Sequence, residues 1–457
     1  MTKQQRLTVV ISILASFVAF LDGSVVNVAL PAITKELGGR LITQQWVVDA
    51  YLITLSALIL LAGALADIFG RKKILFYGLI GFAVTSILCA IAPSAAFLII
   101  ARALQGVAGA LLVPSSLAII VSVFSGAAQG KAIGTWTAWT GIAFIIGPLL
   151  GGLLVDTSSW RLIFAINVIP IVVTLWLLES LKLKEPATTN RHLDLWGAFL
   201  CVVGLTGTVY ALIQQSHYGW GSPSIYLPLI GGVAMLIIFL WHESHTKTPM
   251  LPLSLFKIHN FSAGNISTVF IYAGLSIATF LITIFLQQVG GYSAIASGMA
   301  LLPITLLMFV LSPRFGAQAG KYGPRLFMTL GPIIAGLGFL TMVRVNTPVQ
   351  YWSELFPGVL IFGLGLSMTV APLTSAVLGS ISSDHAGIAS AINNAISRIA
   401  GLVAIASIGI ITGTAITVSS FHDGVIAMAV LLIIGGLTSA IGIRNHSKKS
   451  SPHLLNN

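Results

Sequence analysis

The chain alternates long apolar runs with short polar breaks. One run covers 46–65 and the next 74–92, each near the ~20 residues a helix needs to cross a bilayer. Between them lies Gly-Ala-Leu-Ala-Asp-Ile-Phe-Gly-Arg-Lys-Lys over 63–73, too short for anything but a tight reversal. Apolar runs and their breakers predict about fourteen spans, at roughly 7–30, 44–66, 74–92, 95–122, 132–155, 160–180, 195–214, 224–242, 262–286, 294–313, 326–345, 352–378, 387–416 and 423–443. An even number of crossings places both termini on one side.

The reversal has an echo. Gly63, Gly70 and Arg71 are matched by Gly316, Gly323 and Arg325, and alanines 64 and 66 recur as 317 and 319, while Asp67 becomes Gly320. Two such hairpins suggest a duplicated helical bundle. The register works if the seventh and eighth spans are an insertion between two six-span units. The expected division is a six-helix bundle over 1–181, a linker with two extra transmembrane helices over 182–260, a second six-helix bundle over 261–443 and a polar tail over 444–457.

Composition agrees. Hydrophobic residues make up 56% and charged residues 8% of the 457, against roughly 25% charged in soluble domains. The class is an all-α polytopic membrane protein. A net charge of +11 does not point to nucleic acid, because seventeen bases fall in loops on the side of Arg71, four (Lys35, Arg40, Arg161, Arg344) on the other, and Arg102 and Arg398 inside spans. Such a bias is the positive-inside pattern, and it predicts cytoplasmic termini. Trp46, Trp160, Trp220 and Trp352 at one set of span boundaries and Trp196 and Trp241 at the other fit interfacial belts. Cys89 and Cys201 both lie in apolar runs, so no disulfide framework or metal site is indicated.

A few polar residues interrupt the spans. Asp22 lies about fifteen residues into the first, where an ionised carboxylate is costly unless paired, hydrated or protonated. A proton site and a hydrogen-bonded structural acid both fit. Asp49, one turn into the second span, suits either transport or the interface. Arg102 in the fourth span must meet a carboxylate, a carbonyl or water. It either clusters with Asp22 and Asp49 or acts as a strut to the backbone. Arg398 is the buried base of the second half, and its neighbours Asn393 and Asn394 can bond a substrate or another helix. Gly147-x-x-x-Gly151, with Pro148 and Gly152, serves either a packing seam or a pivot. With Asn27 and Tyr51, the tryptophans Trp136 and Trp139 are candidates for lining a substrate cavity, or for plain packing. His242-Glu-Ser-His245 is one residue short of a zincin motif and reads as an interfacial linker. No P-loop and no G-x-S-x-G elbow occur, so neither an enzyme nor an ATP-driven pump is indicated.

Over nearly its whole length the chain resembles the major facilitator superfamily, and within it the fourteen-span drug–proton antiporter branch. Gly63, Asp67, Gly70, Arg71 and Lys72 fall in the stretch that resembles the superfamily loop signature. Leu21-Asp22 through Asn27-Val-Ala-Leu-Pro31 resembles the first-span motif, and Arg102-x-x-Gln105-Gly106 the fourth-span motif. Gly147-Pro148-x-x-Gly151-Gly152 resembles the antiporter signature of the fifth span; Trp160-Arg161 with Phe164 and Asn167 also fits. The resemblance implies alternating access between two bundles, a latch at Asp67 and Arg71, and proton coupling through Arg102 with Asp22 as leading protonation site and Asp49 as a second. Nothing in the sequence requires a partner or a cofactor, so a monomer driven by the proton gradient is expected, and two cysteines with short loops fit the cell inner (plasma) membrane. The expected cargo is amphipathic and cationic, with a single metabolite, fatty acid or lipid as the alternative. Ile68, where the loop signature often has a base, and Gly320 depart from the pattern.

Overall fold

The computed structural model describes residues 1–124, 126–181, 193–381 and 386–445. Among these, fourteen helices are long and apolar enough to cross a membrane, and no strand occurs. They are α1 (Lys3–Leu37), α2 (Leu41–Phe69), α3 (Arg71–Ala90), α4 (Ala95–Val123), α5 (Lys131–Thr157), α6 (Leu162–Glu179), α7 (Leu195–Tyr218), α8 (Pro223–His245), α9 (His259–Gln288), α10 (Ala294–Tyr322), α11 (Pro324–Arg344), α12 (Tyr351–Leu378), α13 (Gly387–Thr412) and α14 (Val418–Gly442). The protein is a multi-pass membrane protein of the all-α class. The first part of the expected linker, 182–192, and the tail from 446 onward lie outside the described residues.

Helix pairings repeat along the chain. In the first six helices α1 packs on α5, α2 on α4, α3 on α4 and α3 on α6; in the last six α9 packs on α13, α10 on α12, α11 on α12 and α11 on α14. Helices α7 and α8 form a pair that leans on α2. Small residues let that pair close up, since a Cβ on Gly232 would come 2.5 Å from Thr208 N.

The two hairpins have one geometry. Gly70 sits at φ +98° between α2 and α3, and Gly323 at φ +90° between α10 and α11. A side chain is strained in that region, and glycine is not. Each hairpin is then tied down by its bases. Arg71 Nη1 donates to the Ala118 carbonyl at 2.9 Å, and Lys72 Nζ to that of Leu181, after α6, at 2.7 Å. Arg325 Nε donates to the Ala440 carbonyl of α14 at 2.8 Å. Lys72 and Arg325 thereby meet carbonyls at or just past a helix C-terminus, which have no partner within the helix.

On the face opposite these hairpins the two halves meet. Gln45 Nε2 of α2 donates to the Ile405 carbonyl of α13 at 2.7 Å, and Gln287 Nε2 of α9 to the Val28 carbonyl of α1 at 2.9 Å. Asp156, at the end of α5, accepts from the first two amides of α10, Ala294 N at 3.0 Å and Ile295 N at 2.8 Å. It caps a helix of the other half, satisfying amides that α10 leaves open. Toward the hairpin face α5 and α10 are more open: Lys131, Gly134, Ala138 and Trp139 are exposed, as are Phe309, Arg314 and Gln318.

Trp196, Trp241 and Trp352 are 60%, 62% and 74% exposed, as belt residues should be. Trp160 is not one of them. It is buried, donates to Glu36 Oε2 at 2.6 Å, and lies against Arg161, which pairs with Glu36 and donates to the Ala92 carbonyl. That knot ties α1, α3 and α6 together. His242 and Glu243 are likewise more than a linker. His242 Nε2 lies 2.9 Å from Asp194 Oδ1, and Glu243, buried, accepts from Leu251 N, so they tie the end of α8 to the start of α7 and to the segment that follows.

Candidate functional site

Asp22 is fully buried at mid-α1 and accepts from three donors. Its Oδ2 accepts from Arg102 Nη1 of α4 at 2.6 Å. Its Oδ1 accepts from Gln105 Nε2 at 3.1 Å and from Asn167 Nδ2, at the start of α6, at 3.0 Å. Gln105 Oε1 accepts in turn from Arg102 Nη1 at 2.7 Å, and its amide also reaches Ser86 Oγ of α3 at 2.9 Å. Arg102 Nε donates to the Val47 carbonyl of α2 at 3.1 Å, and the guanidinium carbon stands 4.2 Å over the Tyr51 ring. Five helices of the first half thus join in one network around this carboxylate, α4 and α6 directly and α2 and α3 through Arg102 and Gln105. Arg102 is both partner of Asp22 and strut to the backbone.

Gln105 follows Arg102 by three positions, so one turn of α4 presents both donors. Asp49 does not join them. It is 0% exposed, and neither of its oxygens has a hydrogen-bond partner among the described residues. The expected three-charge cluster is therefore a two-charge pair, for a helical reason. Asp49 is two positions beyond Val47, about 200° around the helix, and shares a face with Gln45, which bonds α13, and Ile53, which packs with Leu402.

In the loop motif, Arg71 Nη2 reaches Asp67 Oδ1 at 3.3 Å, while Gly63 has open space where a Cβ would stand. The fifth-span glycines divide by face. A Cβ on Gly147 or Gly151 would strike Ser24 or Val25 of α1, in the same half, at 1.9 and 2.4 Å. A Cβ on Gly152 would strike Ile295 of α10, in the other half, at 2.4 Å from its Cα; one on Gly298 would lie 2.6 Å from the Pro148 carbonyl oxygen.

The cavity candidates divide too. Trp136 Nε1 donates to the Ser12 carbonyl and Ser16 Oγ, and Asn393 Nδ2 to Asn265 Oδ1 and Thr268 Oγ1, so both join helices. Asn394 donates to the Ser390 carbonyl of its own helix. Trp139 is 56% exposed. Asn27 Oδ1, the Tyr51 hydroxyl and Arg398 Nε are buried with no hydrogen-bond partner among the described residues. Sequence reading did not single out Asp156, Gln45 or Gln287 for a role, and it quoted Asn167 only within a resemblance. Their partners are carbonyls, amides or a side chain far along the chain, which no local spacing encodes.

The family model of the Major Facilitator Superfamily matches residues 12–405. The chain belongs to this superfamily. It is accordingly a membrane transporter and not an enzyme. Among its relatives, a puromycin resistance protein of Streptomyces alboniger is 33% identical over 441 residues, covering 94% of this chain and 87% of that one. A methylenomycin A resistance protein of Bacillus subtilis is 33% identical, covering 90% and 88%. A multidrug transporter protein of the same bacterium is 32% identical, covering 89% and 75%. The superfamily fold is also seen in a solved peptide transporter in complex with sulfate, at TM-score 0.70 and 17% identity, covering 96% of this chain and 94% of that one.

Proposed function

We propose that this transporter exports small amphipathic compounds across a bacterial plasma membrane in exchange for protons, by alternating access. The observation that carries the reading is Asp22, a buried carboxylate held by three donors from two other helices. An ionised carboxylate only accepts hydrogen bonds. A proton on Asp22 removes the charge that Arg102 pairs with and places an O–H among groups that donate, so the bonds from Arg102, Gln105 and Asn167 weaken. Titration of one atom thereby changes how α1, α4 and α6 fit together. Asp49 is a second candidate carrier, because an ionised carboxylate without a donor is costly at that depth.

The hairpins with Arg71 and Arg325 face the cytoplasm on this reading, following the distribution of bases. The contacts of Gln45, Gln287, Asp156 and Gly152 then seal the outer face, and the chain is caught with its cytoplasmic side the more open. Two six-helix units, 1–181 and 261–443, rock about the seam, and the chain works as a monomer without a cofactor. Methylenomycin A and puromycin resistance in relatives support antibiotics as the cargo class.

The test is proton movement in proteoliposomes with an imposed pH gradient, on adding amphipathic compounds one at a time. Several unrelated compounds should each release the gradient, and Asp22→Asn should abolish the response in protein that elutes normally. Undiminished exchange in that variant removes Asp22 from coupling. A response to one compound alone identifies a single-substrate exporter.

A further inference from the structure

Arg398 is the interior charge that the proton machinery leaves unbalanced. It stands on α13, which packs on α2 of the first half and α9 of the second. Its guanidinium carbon lies 5.9 Å from the ring centre of Phe20 on α1, so it faces the space between the halves. Tyr51 of α2 and Tyr272 of α9 are close enough to interact with its charge. Among the described residues no hydrogen bond or ion pair engages it, and its Nε is buried without a partner. The carboxylate on the same turn of α1 as Phe20, Asp22, is already taken by Arg102.

A guanidinium does not deprotonate, so this cation cannot relieve its burial by losing a proton. It needs an anion to pair with. No described side chain supplies one, and the position between two halves that rock apart is where a cargo passes. The rings around it offer an apolar bed for the body of the same molecule.

We infer that Arg398 is the anion subsite of the cargo path, taking a carboxylate, sulfonate or ionised enol of an amphipathic compound whose hydrophobic part lies on the partly buried Phe20 and Tyr272. The inference rests on the exporter reading above and names its cargo class. It differs from the cationic cargo expected from sequence, held by a carboxylate or an aromatic face: Asp22 is engaged by Arg102, whereas no described side chain engages Arg398.

Two probes with one aromatic body and fixed, opposite charges separate the readings: 1-naphthalenesulfonate and a naphthyl-trimethylammonium. Uptake of each is followed in proteoliposomes with an imposed pH gradient, for the wild type, Arg398→Gln and Arg398→Lys. The wild type should move the sulfonate. Arg398→Gln should raise its apparent KM roughly tenfold or more, the scale of one lost charge-assisted contact, and leave the ammonium compound unchanged or better handled. Arg398→Lys, which keeps the charge and loses the fork, should fall between. A wild type that moves the ammonium and not the sulfonate overturns the anion subsite and leaves the exporter reading standing. So does an Arg398→Gln variant that loses both probes equally, as a structural strut would. A wild type that moves no amphipathic compound of either charge overturns both.

Discussion

Replacing Gly152 with alanine adds one methyl group at the point where the two halves touch. That methyl would lie 2.4 Å from Ile295 Cα, 2.6 Å from its N and 2.9 Å from the Ala294 carbonyl carbon. Carbon atoms in contact prefer ~3.5–4.0 Å, so the backbones of α5 and α10 must separate by about 1 Å. All three obstacles are main-chain atoms, and none can rotate aside. Overpacking of this kind costs roughly 1–3 kcal/mol, which shifts a two-state equilibrium about 5- to 150-fold. The cost falls only on the arrangement in which this face is shut. The variant should therefore favour the arrangement open on that face, and not unfold. Gly134 and Gly141 have nothing within 4 Å of a Cβ, so Gly134→Ala and Gly141→Ala share the helix-propensity change without the clash. Spin labels at Ser158→Cys and Gln350→Cys, one in each half and both exposed, read the distance across the face; the native cysteines are buried. A longer distance should gain population in Gly152→Ala and not in the two controls. An unchanged distribution, or the same shift in all three, refutes the seam.

Three further outcomes are expected. Asp156→Asn weakens the cap on α10 and should open the same face by about 0.5–1 kcal/mol, a several-fold change in the same distance measurement. Asn167→Ala removes one donor from Asp22 and should slow proton-coupled transport about tenfold, a loss of ~1.5 kcal/mol, while cargo binding in detergent stays within twofold. Gly323→Ala puts a side chain at φ +90° and 2.2 Å from Asn445 Cγ, and should lower Tm through a cost of ~1–2 kcal/mol, whereas Gly320→Ala, with open space around it, should leave Tm unchanged.

The spans were legible because a bilayer imposes length and apolarity on each helix independently of its neighbours. Helix bounds ran past the apolar runs, as at α1, which covers Lys3–Leu37 where hydropathy marks 7–30. Polar turns beyond the hydrocarbon carry no such signal. The hairpin echo was legible for another reason: Gly70 and Gly323 meet one backbone demand, and only glycine answers it without strain. What stayed hidden is angular. Asp22 and Asp49 look alike as acids inside spans, yet one faces Arg102 and the other turns away. Gly151 and Gly152 are neighbours in one motif, yet one presses on its own half and the other on the opposite half. Trp160 looked like a belt residue because sequence shows proximity to a boundary and not whether another helix end lies there.

The anchoring of the hairpins bears on how little the cycle must cost. Arg71 and Lys72 bond carbonyls of the first six-helix unit, and Arg325 one of the last helix of the second. Neither reversal borrows these bonds from the other half, so the halves can part on that face with both loops still folded. Ordering a residue costs roughly 1–2 kcal/mol of backbone entropy, and a loop that melted and reformed would incur this at every turn. Here it is incurred once, at folding. Exchange between the two arrangements should accordingly show a shallow dependence on temperature, set by the few polar contacts of the seam.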